Sequence, residues 1–230
     1  MKKIIFILCA ILSVGVLNSC KDEEPEKLTT NNVSDPSKYK SITELKSYTG
    51  KTTLEIDSIM SEKGYVFYGE TPLDETTNLR LFLASDYSGM YELMIAKDTI
   101  YVSVFAKMTT VRDTGLYYFE KYTDECVAKM VGVNHEYEGV CSTDIVLDSS
   151  FTTHQNFWNF YIQNKSTVNI CNETWVTNTE VVSSYFEEDE GTIMPMLMYV
   201  NMNYAPASIL GELTKKTSLK KINPSKFIKK

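Results

Sequence analysis

Two histidines and three cysteines in the second half of the chain are the residues best suited to proton transfer, nucleophilic attack or metal binding. They are His135, His154, Cys126, Cys141 and Cys171. A cysteine nucleophile and a histidine base need to meet only in the folded chain, so such a pair is chemically possible. The spacing of the five residues matches no zinc-binding pattern, and we predict no metal site.

Each histidine also has a structural interpretation, which we prefer. His154 lies four residues before Trp158 in TTHQNFWNFYIQNK, so the two share one face of a predicted helix. We therefore expect His154 to be half-buried and hydrogen-bonded. His135 precedes Glu136 in VGVNHEYEGVC, which we interpret as a loop with His135 as a turn residue. A catalytic role of His135 is the alternative.

The motifs of the common catalytic and nucleotide-binding sites do not occur in the sequence. It contains no G-x-S-x-G elbow, no H-E-x-x-H zinc motif, no C-x-x-C pair and no glycine-rich phosphate loop. The acids at residues 187–190 lack the alternating oxygen ligands of a calcium loop and fit a charged hairpin tip. We predict no cofactor and a non-catalytic protein, with a hydrolase of unrecognised site as an alternative.

The N-terminus has the pattern of a secretion signal. Lys2 and Lys3 precede a nearly continuous apolar run at residues 4–17, which is shorter than the about 20 residues of a membrane-spanning helix. The tetrapeptide LNSC that follows resembles the bacterial lipobox. The resemblance implies that residues 1–19 are removed as a signal peptide and that Cys20 is acylated, which would anchor the protein in lipid.

The residues after Cys20 resemble the export signal of Bacteroidetes surface lipoproteins, in which a lysine or small polar residue precedes two or more acids. They are Lys21, Asp22, Glu23 and Glu24. The resemblance implies that outer-membrane lipid holds the protein through Cys20 and that the protein faces the exterior. The alternative is that these charges form a solvated linker.

Composition divides the rest of the chain into a tether, a folded domain and a basic tail. Residues 20–37 are polar and predict a flexible tether. Residues 38–212 predict a globular domain, which divides into halves at 38–110 and 111–212. Residues 213–230 contain seven lysines and no acid, so the domain is more acidic than the net charge of −7 indicates. Nucleic acid is therefore not an expected partner.

Helix and strand signals predict an α+β fold of short helices and an antiparallel sheet. Two capping boxes, Ser41 with Glu44 and Thr52 with Glu55, each open a helix. Four strand-like segments follow, namely YVFYG, NLRLFLA, MYELMIA and TIYVSVFAKM. The last two are predicted to form a hairpin.

The second half is expected to repeat this order as helix followed by antiparallel strands. TGLYYFEKYTDECVAKM and TTHQNFWNFYIQNK have helical spacing. The second segment opens with a predicted capping box of Thr152 and Gln155, and Trp158, Tyr161 and Ile162 define one face. TVNICNETWV, EVVSSYF and TIMPMLMYVNMNY are strand-like. The pattern resembles the α+β modules of β-lactamase-inhibitory proteins and of small outer-membrane assembly lipoproteins.

Of the two tryptophans, Trp175 is the better candidate for an exposed residue, because the segment NETWVTNTE is polar around it. With Asn172 and Asn178 nearby it would form a glycan-binding patch, since aromatic faces are good stacking platforms. The interpretation that we prefer is a strand residue that packs against a helix.

Two kinds of covalent modification are also expected. A disulfide between Cys126 and Cys141 would close a loop of about 15 residues and stabilise the fold by about 3 kcal/mol, although the remaining thiol, Cys171, allows other pairings. The tripeptides DSI and DTI resemble the O-glycosylation motif of exported Bacteroidetes proteins, with acceptors at Ser58 and Thr99.

Together these patterns predict a lipid-anchored module on the cell surface that binds a glycan or a protein. This prediction rests on the lipobox-like residues, the acids that follow them and the lack of a catalytic motif. The alternative is a periplasm-facing lipoprotein that acts in envelope assembly or as an inhibitor.

Overall fold

The computed structural model describes residues 40–143, 149–189 and 191–207, and the predicted signal peptide, tether and basic tail lie outside them. Within these residues the fold is α+β, as predicted, with four helices and one nine-stranded antiparallel sheet. The helices are α1 (Ile42–Tyr48), α2 (Thr53–Glu62), α3 (Arg112–Met130) and α4 (His154–Asn164). The strands are β1 (Tyr65–Pro72), β2 (Thr77–Ala84), β3 (Gly89–Ala96), β4 (Thr99–Lys107), β5 (Glu136–Thr143), β6 (Ser149–Phe151), β7 (Val168–Val176), β8 (Glu180–Asp189) and β9 (Thr192–Asn201).

The strand order is β1-β2-β3-β4-β9-β8-β7-β5-β6, and all neighbouring strands are antiparallel. The first half supplies α1 and α2 followed by β1 to β4, in the predicted order. The second half supplies α3, α4 and β5 to β9. Because β4 pairs with β9, the last strand of each half joins the two parts into one sheet, and residues 40–206 form one compact unit.

Side-chain caps fix where the first two helices begin. The Ser41 hydroxyl accepts a hydrogen bond from the Glu44 amide at 3.1 Å, which caps α1. Thr52 and Glu55 form the complete predicted capping box of α2, with the Thr52 amide donating to the Glu55 carboxylate at 2.8 Å. These bonds satisfy amides that have no partner inside the helix.

The predicted start of α4 is wrong by one residue. Thr153, and not Thr152, is the cap, and its hydroxyl accepts from the amide of Asn156. The buried face consequently contains Phe157 and Tyr161, whereas the predicted Ile162 is exposed. The helix is rotated in this way because its large aromatic rings bury more area against the sheet than Ile162 would.

Strand β5 was not predicted, because its sequence EYEGVCST lacks alternation and contains a glycine. Its conformation is imposed by pairing with β7 over its whole length. Gly139 is required there, since a Cβ atom at this position would lie 2.8 Å from the ring of Phe157 on α4. The absence of a side chain therefore lets α4 approach the sheet closely.

All four helices lie on one face of the sheet, which we call the helix face. One row of residues crosses this face by direct cross-strand pairing: Phe82, Tyr91, Phe105, Leu197, Ser184, Glu173 and Gly139. Members of this row contact Glu44 of α1, Thr123 of α3 and His154 of α4 through hydrogen bonds. Arg80, two residues from Phe82 and hence on the same face, pairs with Asp57 of α2.

Candidate functional site

The anchor and export residues predicted from the sequence lie outside the described part of the chain. They are Cys20, Lys21, Asp22, Glu23 and Glu24. Acylation and export therefore stay predictions.

Trp175 is a buried strand residue that packs against α4, as the preferred interpretation predicts, and the hypothesis of an exposed Trp175 is wrong. Only 2% of its surface is exposed, because β7 lies between β5 and β8 and Trp175 points to the helix face. Its ring contacts that of Tyr137 at a centroid distance of 5.3 Å. Asn172, three residues earlier, points to the opposite face by strand alternation. A glycan patch of Trp175 with Asn172 and Asn178 therefore does not form.

The predicted disulfide between Cys126 and Cys141 is also corrected. Cys141 pairs with Cys171, and Cys126 is a free, buried thiol on α3. Cys141 and Cys171 are direct neighbours on β5 and β7, with a Cα–Cα distance of 4.3 Å. This is the close approach of a non-hydrogen-bonded antiparallel pair, so the sheet register brings the two sulfurs together.

The two predicted glycosylation acceptors differ in their surroundings. Ser58 is exposed on α2. Thr99 is partly buried at the start of β4, directly after the Lys97–Asp98 turn, whose two residues have φ of 50° and 59° as a tight hairpin requires. The Asp98 carboxylate accepts hydrogen bonds from Thr53 of α2. Modification of either acceptor stays a prediction.

The two histidines have different surroundings. His135 is exposed in the loop before β5, and its Nδ1 lies 2.8 Å from the carbonyl oxygen of Val133. His154 is the first residue of α4 and is half-buried and hydrogen-bonded, as predicted. Its Nδ1 lies 2.6 Å from Oε1 of Glu173 on β7.

A buried cluster forms around the Glu173 carboxylate, which has no exposed surface. The Tyr137 hydroxyl donates to the same Oε1 at 2.6 Å, while Oε2 has no hydrogen-bond partner among the described residues. The rings of Trp158 and Trp175 lie 5.7 and 6.0 Å from the His154 ring. A carboxylate that orients a histidine is part of many general-base sites. In such sites the histidine activates a neighbouring nucleophile.

The nearest thiol does not suit nucleophilic chemistry. Burial, and then the negative charge of Glu173, raise the pKa of Cys126 well above its ordinary value. A cysteine nucleophile needs a positive, partly exposed surrounding that favours its thiolate. Among the described residues, the cluster around Glu173 therefore has an orienting carboxylate and a histidine but no activated thiol, and its contacts fit a role in holding α4 on the sheet.

Exposed apolar side chains lie on β1, the strand at one end of the sheet. Three consecutive large apolar side chains of β1 face solvent: Val66, Phe67 and Tyr68 are exposed by 61, 48 and 59%. β1 is the outermost strand, so no strand of the described chain pairs with its outer side. We call this strand, with the exposed side chains on both of its faces, the β1 edge. Unpaired edge strands are templates for pairing with another chain.

The one charged side chain of β1 is held in an ion pair. Glu70, the only charged residue of β1, accepts from the Arg80 guanidinium at 2.5 Å. Arg80 also binds Asp57 and stacks against the Phe67 ring, with 4.4 Å between the guanidinium carbon and the ring centroid. The one charge of the strand is thus paired beside an exposed ring.

Sequence reasoning predicted β1 as a strand but missed its exposure. The available signal was the absence of alternation in YVFYG, because an edge strand with one buried face shows alternation. The β-bulge between Phe67 and Gly69 leaves Tyr68 without a paired residue on β2.

Comparison of the chain with protein-family models, with curated proteins and with solved structures finds no match. Among the described residues, no helix combines the length and the apolar character that a membrane span requires. In the same part of the chain, no three His, Cys, Asp or Glu side chains are arranged to hold a metal ion.

Proposed function

We propose that this protein is a lipid-anchored, surface-exposed module that binds a protein partner through the β1 edge. The observation that carries the proposal is the run of three exposed apolar side chains on an unpaired strand. Exposed apolar surface of this kind marks interaction sites in soluble domains. The lipobox-like residues before Cys20 and the acids after it support attachment to the outer membrane.

A protein partner is favoured over a glycan for two reasons. The tryptophan expected to stack on a sugar is buried, and the exposed aromatic residues of β1 lie on a strand with a free outer side. An extended peptide can add to such a strand through main-chain hydrogen bonds, while alternate side chains provide specificity. Because the only charge of β1 is already paired and its exposed side chains are apolar, we expect an extended partner segment that is apolar.

Site-specific photo-crosslinking on cells that display the protein tests this surface. The change Tyr68→p-benzoylphenylalanine places the photoreactive group on the β1 edge, and Leu54→p-benzoylphenylalanine places it on α2, where Leu54 is 79% exposed. We expect a protein adduct of defined mass from position 68 and none from position 54. Introducing Val66→Thr beside the probe should reduce the adduct. Equal adducts from both positions, or none from position 68, would contradict the proposal.

Protease treatment of intact cells tests the proposed location separately. We expect the native protein to be cleaved, and a variant with Lys21, Asp22, Glu23 and Glu24 replaced by alanine to be protected. Cys20→Ser should release the protein from the membrane fraction. Protection of the native protein would show that the acids are a linker and would move the search for partners to the periplasm.

A further inference from the structure

The side chain of Lys40 ends among three aromatic rings on the helix face. Its ammonium nitrogen lies 5.7 Å from the ring centroid of Tyr65, 5.8 Å from that of Tyr91 and 5.6 Å from that of Phe105. Oε1 of Glu44 lies 3.8 Å from the same nitrogen. Cations within about 6 Å of a ring centroid are attracted by the negative face of the ring. We call these three rings and the carboxylate the Lys40 cage.

The walls of the cage are positioned by the sheet. Tyr91 and Phe105 are paired neighbours on β3 and β4, and both are buried. The Tyr65 ring meets Tyr91 edge-on at 4.8 Å. Gly89 makes room for the Phe105 ring, because a Cβ atom there would lie 2.8 Å from Cζ of that ring. The aromatic walls around the cation are thus positioned by residues other than Lys40.

The floor of the cage is also held in place without Lys40. The hydroxyls of Tyr48 and Tyr91 donate to Oε1 of Glu44 at 2.6 and 2.8 Å, and the Lys63 ammonium lies 3.1 Å from it. Burial alone would raise the pKa of Glu44, but these hydrogen bonds and the nearby charges outweigh it and hold the pKa below its ordinary value. A negative charge therefore stays at the floor of the cage.

The setting of Lys40 differs from that of the other lysines near rings. Lys46 lies 5.7 Å from one ring, that of Tyr199, with Glu180 as its carboxylate, and half of its side chain is exposed. The Lys40 side chain is only 16% exposed. Burial lowers the pKa of Lys40, while the charge of Glu44 opposes this shift. Cation–ring attraction is stronger when the cation is desolvated, so three rings and partial burial favour the Lys40 site.

We propose that the Lys40 cage is a binding site for a primary alkylammonium group, and that the chain's own Lys40 is its resident ligand. Rings, carboxylate and enclosure match an ammonium on an aliphatic stem, the shape of a lysine side chain or an alkylamine. The compact unit begins at Lys40, so the contact fastens the first residue of this unit to the sheet. A free alkylammonium takes the same place when Lys40 lacks its ammonium. This inference is independent of the proposed function of the β1 edge.

Chemical rescue tests the site. Lys40→Ala should lower the Tm, and n-butylammonium chloride should restore at least half of the loss, with saturation on the order of 10 mM. Sodium chloride at the same ionic strength should not. Lys46→Ala is the matched control, because its single ring and open surface provide no cage, and its Tm should not respond to butylammonium. Equal responses of the two variants, or none in Lys40→Ala, would overturn the proposal.

A measurement on the native chain complements the variants and does not depend on their folding. In a proton NMR spectrum, the ε-methylene protons of Lys40 should be shifted upfield by the surrounding rings, relative to those of Lys46. Lys40 resonances at the position of an exposed lysine would refute the cage, whatever the variants show. In Lys40→Ala, added n-butylammonium should show the same upfield shift on binding.

Discussion

Replacing Glu92 with glutamine should stabilise the protein and remove a dependence of its stability on pH. Glu92 lies in the middle of β3, only 1% exposed, between Leu81 on β2 and Val104 on β4. Neither carboxylate oxygen has a hydrogen-bond partner among the described residues. Burial therefore raises the pKa of Glu92 from 4.5 to about 8.

The pH dependence of stability comes from the different proton affinities of Glu92 in the folded and unfolded chain. In the unfolded chain Glu92 loses its proton near pH 4.5, whereas in the fold it keeps the proton until about pH 8. The contribution of protonated Glu92 to the free energy of unfolding is complete below pH 4.5 and is lost as the pH rises to about 8. At 1.36 kcal/mol per pKa unit, the loss is about 1 kcal/mol at pH 5 and about 3 kcal/mol at pH 7. Glutamine has nearly the same shape and no proton to lose.

Urea unfolding of both proteins at pH 5, 6, 7 and 8 measures the effect. The free energy of unfolding of Glu92→Gln should exceed that of the native protein by an amount that grows by about 1.4 kcal/mol per pH unit between pH 5 and pH 7. Glu75→Gln, at an exposed position, is the control and should show no such trend. A constant difference between Glu92→Gln and the native protein would refute the reasoning, because it would mean that Glu92 is already ionised or paired in the fold.

Three further substitutions test packing and polar contacts. Cys171→Ser should lower the free energy of unfolding by about 3 to 4 kcal/mol under oxidising conditions and by much less in reductant, because the disulfide spans 30 residues. Tyr137→Phe should cost about 1 to 3 kcal/mol in denaturant unfolding, since the Glu173 carboxylate would lose one of two donors. Gly115→Ala should cost about 1 to 3 kcal/mol, because its new Cβ would clash with Ile193, and the same change should cost much less when it is made in an Ile193→Ala background.

The parts of the fold that could be predicted depend on local chemistry. Capping pairs at Ser41 and Thr52 mark helix starts because the cap bonds are made within one turn. The strands that were predicted are segments with many apolar residues, and each is bounded by turn residues. β5 could not be predicted in this way, because its pairing with β7 depends on residues about 30 positions away.

The candidate site was harder to predict because exposure is a property of the assembled sheet. Polar neighbours made Trp175 look exposed, but in a strand the adjacent side chains point to the opposite face and say little about its own surroundings. In the same way, Phe67 and Tyr68 resemble core residues by type. Only the position of β1 at the end of the strand order places them in solvent. The disulfide likewise depends on register, which no spacing between cysteines reveals.

Four carboxylates on the helix face share a feature that Glu92 lacks. Each accepts a hydrogen bond from a tyrosine hydroxyl and has a basic side chain beside it, as in the four pairs Glu44–Tyr91, Glu120–Tyr161, Glu173–Tyr137 and Glu180–Tyr199. A helix or strand shifted from its observed register would leave such a carboxylate buried and unpaired, at a cost of several kcal/mol. These pairs therefore select one arrangement of the helices on the sheet more than they add stability. Glu92 has no such partner and specifies nothing of this kind, which is why its replacement should stabilise the fold whereas loss of a tyrosine partner should destabilise it.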